Sequence, residues 1–418
     1  MPPANESAVP LGQAALAART ASAATLRTLL QNSRTRTLTL LESYRAALGN
    51  ALTVPQSATL NPPLWELGHI AWFQDYWLSR NPERARGPRA TLKQPRLTSR
   101  LAQADALYDS GRVAQMSRWQ LPLPDLAATL RYAEDTLEDS LELLQSPAMD
   151  SDDALYFFRL VLFHEDMHSE AWIYTAQALG LDIPDVVLHH RCSAQPVTIA
   201  QVSDLHLPAG LWQTGWQDAG FAFDNELGSH SLELAACDID NEPVTWQRYL
   251  PFVEANGYHD QHWWSPAGWQ WLQAQAQVAP RYLRPGPATG AWRCRQGSQW
   301  QPLNPQAAAV HLSYFEAQAW CNWADRALPS EAQWERAALQ HPAFRWGQVW
   351  EWTASTFAPY PGFVAHPYRD YSAPWFDGRP VLKGASSATH DRMAHPRYRN
   401  FFEPQRNDVP TGFRSCKK

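Results

Sequence analysis

Apolar residues recur at helical spacing through about the first 185 residues and lose that period afterwards. From about Ala21 to Leu48, the positions Leu26, Leu30, Leu41, Tyr44 and Leu48 mark one face of a helix, with mostly polar or basic residues between them. The link VPQSATLNPP leads into LWELGHIAWFQDYWLSR, where Leu64, Leu67, His69, Trp72, Phe73 and Tyr76 line much of a second helix predicted to stop before Asn81-Pro82. Two more helices are predicted over 124–145, opened by Pro124-Asp125, and over 151–180, closed by Gly180. Four helices in this span predict a bundle.

After LHHRCSAQPV, short apolar runs alternate with Gly, Pro, Asn and Asp turns, and helical spacing survives only in short stretches. PVTWQRYLPFVEANG predicts one such helix, and SYFEAQAWCNWADRALPSEAQWERAAL predicts two, separated at Leu328-Pro329-Ser330. The domain boundary is therefore placed near residue 195, with an N-terminal unit over 20–190 and a C-terminal unit over 196–418, an α+β chain overall. No fixed-period repeat is visible, which argues against a solenoid or propeller.

The 418 residues, 45% hydrophobic and 18% charged, suit two or three packed domains rather than disorder. A net charge of -6 argues against a phosphate-neutralising surface, so no nucleic-acid partner is expected. The N-terminus lacks a basic start followed by an apolar run, and no stretch reaches the length of a membrane span, so no membrane partner is expected. Five widely spaced cysteines without a C-x-x-C pair argue against a disulfide framework and fit a reducing, cytoplasmic setting. Twenty-one tryptophans supply flat rings for packing and for cation recognition.

His164 and His168 lie four residues apart on the fourth predicted helix, so both imidazoles leave one face about a turn apart. His69, on the aromatic second helix, is the natural third ligand, because bundle cores build metal sites from side chains projecting inward off different helices. Three neutral imidazoles leave coordination positions open, and they suit zinc and non-haem iron alike. Against this stands a plainer reading. Glu165, Asp166 and Glu170 make the segment polar enough for an exposed face, although the flanking YFFRLVLF and AWIY pull it inward.

NPPLWELGHIAWFQDYW, then HEDMHSE, then ALPSEAQWERAA, VWEWTAS, YPGF and RNFFEPQRNDVPTGFRS together resemble the sulfoxide synthases of ergothioneine biosynthesis, over roughly residues 25–415. The resemblance implies a DinB-like four-helix bundle joined to a domain of the formylglycine-generating-enzyme type, itself related to the C-type lectin fold. It implies that His69, His164 and His168 hold a mononuclear Fe(2+), and that hercynine, the trimethylated betaine of histidine, reacts there with O2. By the same resemblance Asn400, Phe401 and Phe402 fall where the family contacts the betaine, although two phenylalanines also suit plain packing. A tyrosine of the second domain is implied to manage a proton or electron; Tyr360 is the candidate, with Tyr371 and Tyr398 as rivals.

Two departures matter. Met167 stands where some members carry a glutamine that bonds the substrate imidazole. After Leu107-Tyr108-Asp109-Ser110, dipeptide-thiol members continue with two arginines three apart; here the chain reads GRVAQMSRWQLPLPD, with only Arg112 and Arg118 nearby. Losing those carboxylate clamps favours a less anionic donor. The stretch resembles the selenoneine synthase branch, which implies carbon–selenium bond formation between hercynine and a selenosugar, 1-seleno-β-D-glucose. A thiol-dependent sulfoxide synthase and a redox-inactive metal-dependent thiol transferase remain the alternatives.

Overall fold

The computed structural model describes residues 12–189 and 203–418. The N-terminal part contains α1 (Gln13–Arg19), α2 (Ala23–Leu48), α3 (Pro63–Trp77), the short α4 (Ala104–Tyr108), α5 (Leu126–Leu143) and α6 (Asp152–Leu179). The four expected long helices are α2, α3, α5 and α6, and their ends follow local chemistry. Ser22, Asp125 and Ser151 each accept a hydrogen bond from a backbone N–H three residues on, and Gly180 closes α6 at φ 73°, in the left-handed region. Pro63 begins α3, where its missing N–H is no loss.

Helix α3 is not amphipathic: of its residues only Leu64 and Tyr76 are less than buried, because it runs between α5, α6 and α4. The domain boundary expected near residue 195, and Cys192 with it, lie outside the described residues. No described helix is long and apolar enough to cross a membrane. The four described cysteines are free thiols.

The C-terminal part contains short strands and four helices: β1 (Asp204–Leu207), β2 (Gly210–Thr214), β3 (His230–Leu234), β4 (Cys237–Asp240), α7 (Trp246–Glu254), α8 (Pro266–Gln275), β5 (Leu283–Pro285), β6 (Trp292–Gln296), β7 (Gln299–Pro302), α9 (Tyr314–Trp323), β8 (Arg326–Ala327), α10 (Glu331–Gln340), β9 (Trp350–Thr356), β10 (Pro380–Gly384), β11 (Asn400–Phe401), β12 (Thr411–Phe413) and β13 (Cys416–Lys417). One sheet runs β1-β4-β13-β8 and another β11-β10-β9-β12, in which β12 lies parallel to β9. Smaller sheets are β2-β3 and β5-β6-β7. Ser313 with Glu316 and Ser330 with Gln333 form capping boxes on α9 and α10. Helix α8 and the β5-β6-β7 sheet were not anticipated.

The two parts share one core. The largest apolar cluster joins Phe157 and Phe163 of α6 to Phe221, Phe223, Trp350 and Trp352 of the C-terminal part. Buried polar contacts reinforce the seam: Arg19 pairs with Glu226 at 2.7 Å, and the Tyr156 hydroxyl meets His366 Nδ1 at 2.9 Å. Arg392 grips Asp166 of α6 through Nε and Nη2 at 2.5 and 2.6 Å. Removing one partner of such a pair strands a charge away from water. Arg392→Ala is expected to lower the unfolding free energy by about 3–5 kcal/mol, against under about 1 kcal/mol for Arg45→Ala at the exposed Arg45–Glu42 pair; chemical denaturation of both variants checks this.

Candidate metal centre

Helix α3 supplies His69, and α6 supplies His164 and His168. Their ligand atoms all lie within 4.8 Å of one another, the grouping of this kind found among the described residues. His164 Nε2 and His168 Nε2 face each other at 3.2 Å. Two imidazole nitrogens each bound at about 2.1 Å to one metal, at an angle near 100°, would be separated by about that distance.

Each outward nitrogen that can be traced is held. His69 Nδ1 meets the Tyr108 carbonyl at 2.7 Å, which makes Nδ1 the donor and leaves Nε2 a free lone pair. His168 Nδ1 meets Glu66 Oε1 at 2.7 Å, a carboxylate–histidine pair that fixes the ring's orientation and tautomer. His164 stacks face to face on Phe73, centroids 3.4 Å apart, and His69 stacks on Trp65 at 4.8 Å. Burial, with neighbouring imidazoles adding to it, pushes both His69 and His164 well below the usual imidazole range, toward the neutral form that a metal requires.

Close packing locates these groups. A Cβ on Gly68 would fall 2.3 Å from the Tyr108 ring, so glycine is what lets α3 approach the residue whose carbonyl orients His69. Trp65 Nε1 donates to the Leu107 carbonyl at 2.8 Å and ties the same two segments together.

The polar residues around the histidines are not an exposed face, which corrects that expectation. Glu165 accepts from Arg34 Nε at 2.8 Å and from the Thr37 hydroxyl at 2.9 Å. Asp166 is taken by Arg392 and by the Ser33 hydroxyl at 2.9 Å. Glu170 accepts from Trp350 Nε1 at 2.6 Å and from the hydroxyls of Thr389 and Ser386 at 3.0 and 3.2 Å. Burial raises the Glu170 carboxyl, and those three bonds oppose the shift.

The tyrosines redistribute. Tyr360 donates to Glu331 Oε2 at 3.2 Å and packs against the Arg399 guanidinium at 4.0 Å, so its contacts belong to that cluster and not to the histidines. Tyr371 and Tyr398 bond hydroxyl to hydroxyl, and the Tyr398 hydroxyl lies 3.6 Å from Met167 Sδ on the metal motif. The tyrosine of the C-terminal part whose ring packs on the triad is Tyr368, which sequence reasoning missed: its ring lies 6.1 Å from His164 and 4.9 Å from Phe73, edge to face in both cases. Three residues before Tyr371, it was as visible as its rivals, but no local signal ties its loop to α6.

Asn400 Oδ1 accepts from the backbone N–H of Phe401 at 2.8 Å. Phe401 is 9% exposed and stacks on Phe357 at 4.2 Å, which is packing. Phe402 is half-buried, edge to face with Tyr174 of α6 at 6.5 Å. Arg112 is exposed and pairs with Asp109 at 3.0 Å, whereas Arg118 turns inward over Trp65 at 3.9 Å.

The donor set fits a divalent transition metal: three imidazoles converge, outer partners orient two of them, and among the described residues no lysine or arginine makes a hydrogen bond to them. Glu66 is the residue least expected to matter from sequence. Glu66→Gln is expected to weaken metal binding by about 10- to 100-fold while leaving the fold intact, measured by competition against a metal indicator with circular dichroism as the control.

A family model described as sulfatase-modifying factor enzyme 1-like domain matches residues 192–347. A hercynine oxygenase of Mycobacterium tuberculosis is 29% identical over 434 residues, covering 92% of this chain and 96% of that protein. A hercynine oxygenase of Mycolicibacterium smegmatis is also 29% identical, covering 93% and 98%. A formylglycine-generating enzyme of Streptomyces coelicolor is 27% identical and covers 47% of this chain and 81% of its own.

Proposed function

We propose that this chain, a member of the ergothioneine-type sulfoxide synthase superfamily and related along nearly its whole length to hercynine oxygenases, is an Fe(2+)-dependent oxidoreductase that joins hercynine to 1-seleno-β-D-glucose in selenoneine biosynthesis. The observation that carries the reading is the convergence of His69, His164 and His168 in a chain with that end-to-end relationship. The N-terminal unit over 20–190 would supply the histidines, and the unit over 196–418 would close the site. Bound iron would supply the redox chemistry by which O2 is activated.

The overall step balances. The imidazole C2–H and the Se–H are lost, a C–Se bond forms, and selenium is oxidised to a selenoxide. O2 takes four electrons, leaving one oxygen on selenium and the other in water.

In this reading His69 presents Nε2 because Tyr108 holds its other nitrogen, and Glu66 holds His168 in the matching tautomer. Phe73 and Trp65 wall the imidazoles against water. Tyr368 takes the place of the tyrosine that the resemblance implies manages a proton or electron, for which Tyr360 is the sequence candidate, because its ring packs on a triad histidine. Met167, bonded from Tyr398, offers the substrate imidazole no N–H donor, so the substrate ring is held by packing. Asn400 and Phe402 stay in the proposal as contacts to the betaine, and Phe401 acts by packing behind them. The donor is read as a sugar because Arg112 points to solvent and one inward arginine cannot clamp two carboxylates. The setting is cytoplasmic.

Anaerobic loading with Fe(2+), followed by O2, hercynine and in turn selenoglucose, thioglucose, cysteine or γ-glutamylcysteine, tests this by mass spectrometry of the products. Coupling with consumption of O2 for the selenosugar alone is expected. Preference for a cysteine-type thiol would make the chain a sulfoxide synthase, and coupling without O2 consumption would make it a thiol transferase.

A further inference from the structure

Arg118 lies on the turn of 3-10 helix Gln115–Gln120, and that turn is stitched to the link before α3. Gln115 donates to the Leu60 carbonyl at 2.7 Å, Trp119 Nε1 to Val54 at 3.0 Å, and Gln56 to Met116 at 2.7 Å. The guanidinium thus arrives at a fixed place, 3.9 Å from the ring centroid of Trp65, whose indole stacks on His69. Its charge bears on His69, and the Glu66 carboxylate acts on it in turn, which puts it within electrostatic reach of the triad.

Its hydrogen bonds are incomplete along one edge. Nη1 donates to Asn61 Oδ1 at 2.6 Å, Nη2 reaches only the Val113 carbonyl at 3.5 Å, and the buried Nε has no partner. No carboxylate among the described residues forms an ion pair with it. The edge made by Nε and Nη2 is the one with which Arg34, Arg392, Arg399 and Arg414 each hold a carboxylate in this same chain. A half-buried guanidinium, stacked over an indole, with Nη1 held and its Nε and Nη2 edge without a carboxylate, has the donor pattern that a planar anion satisfies.

We infer that Arg118 is a specificity-determining residue that receives, through Nε and Nη2, one carboxylate of a substrate bound at the histidine triad. This rests on the reading of the chain as a hercynine-coupling enzyme. Two sources share that chemistry: the carboxylate of hercynine, and the carboxylate of an amino-acid thiol. The sugar donor has none, so under the proposed function the carboxylate is hercynine's. A single fork also fits one carboxylate and not the two of a dipeptide thiol.

The test is calorimetric binding, under anaerobic conditions, to the Fe(2+)-loaded full chain. The ligands are hercynine, its decarboxylated counterpart (the trimethylammonium derivative of histamine), cysteine and γ-glutamylcysteine; the proteins are wild type, Arg118→Met and Arg118→Lys. Wild type is expected to bind hercynine at least about tenfold tighter than the decarboxylated compound, the scale of one charge-assisted pair. Arg118→Met should erase that preference, and Arg118→Lys, which keeps the charge without the fork, should restore only part of it. Thermal unfolding of the variants separates loss of the fold from loss of the contact.

Loss of thiol binding in Arg118→Met with hercynine binding unchanged would support the carboxylate contact and move it to the donor, overturning the selenosugar reading alone. An undiminished preference for hercynine in folded Arg118→Met, or no carboxylate-dependent binding to wild type, would overturn the role of Arg118. Failure of coupling in the product assay, with the binding pattern intact, would overturn the function and not the contact.

Discussion

The run from His164 to Glu170 places two imidazoles and three carboxylates on two turns of one helix inside a protein core, and the rest of the structure answers that demand. Charges buried without partners are strongly destabilising, so each acid must be met by a donor from elsewhere. Arg34 and Thr37 of α2 meet Glu165, and Arg392 with Ser33 meets Asp166. Trp350 of β9, with Ser386 and Thr389, meets Glu170, and Ser169 bonds Thr37 at 3.1 Å. With every acid hydrogen-bonded outward, α6 can turn His164 and His168 toward α3.

This arrangement makes the seam between the two parts inseparable from the site. The same helix that offers two histidines inward carries Asp166 and Glu170, whose partners lie more than 200 and 170 residues further along the chain. Met167, between them, touches Tyr398, and Tyr368 closes over His164 from the same C-terminal part. The bundle thus provides the triad and its outer partners, Glu66 and the Tyr108 carbonyl, and the second part provides walls and tyrosines. Neither part alone encloses the histidines.

What could be read in advance was what is local. Helix ends followed from Ser22, Asp125, Ser151 and Gly180, and the facing of His164 and His168 from their spacing. His69 required the further step that bundle cores draw ligands from different helices. The partners of the acids were illegible, because Arg392 and Trp350 are remote in sequence, and their carboxylates looked like a solvated face. Tyr360 and Tyr368 lie on the same connection between β9 and β10, and composition and periodicity do not record which part of it returns to α6. Phe401 was ambiguous until Phe357 was found stacked on it, and the inward turn of Arg118 depends on the hydrogen bonds from Gln115 and Trp119 to the preceding link.

That the histidines hold the metal is best tested by locating iron directly. Crystals loaded anaerobically with Fe(2+) and measured at the iron absorption edge should give one anomalous peak in the cluster, at about 2.0–2.3 Å from a nitrogen of each of His69, His164 and His168. A peak elsewhere, or no peak in the cluster, would contradict a metal centre there.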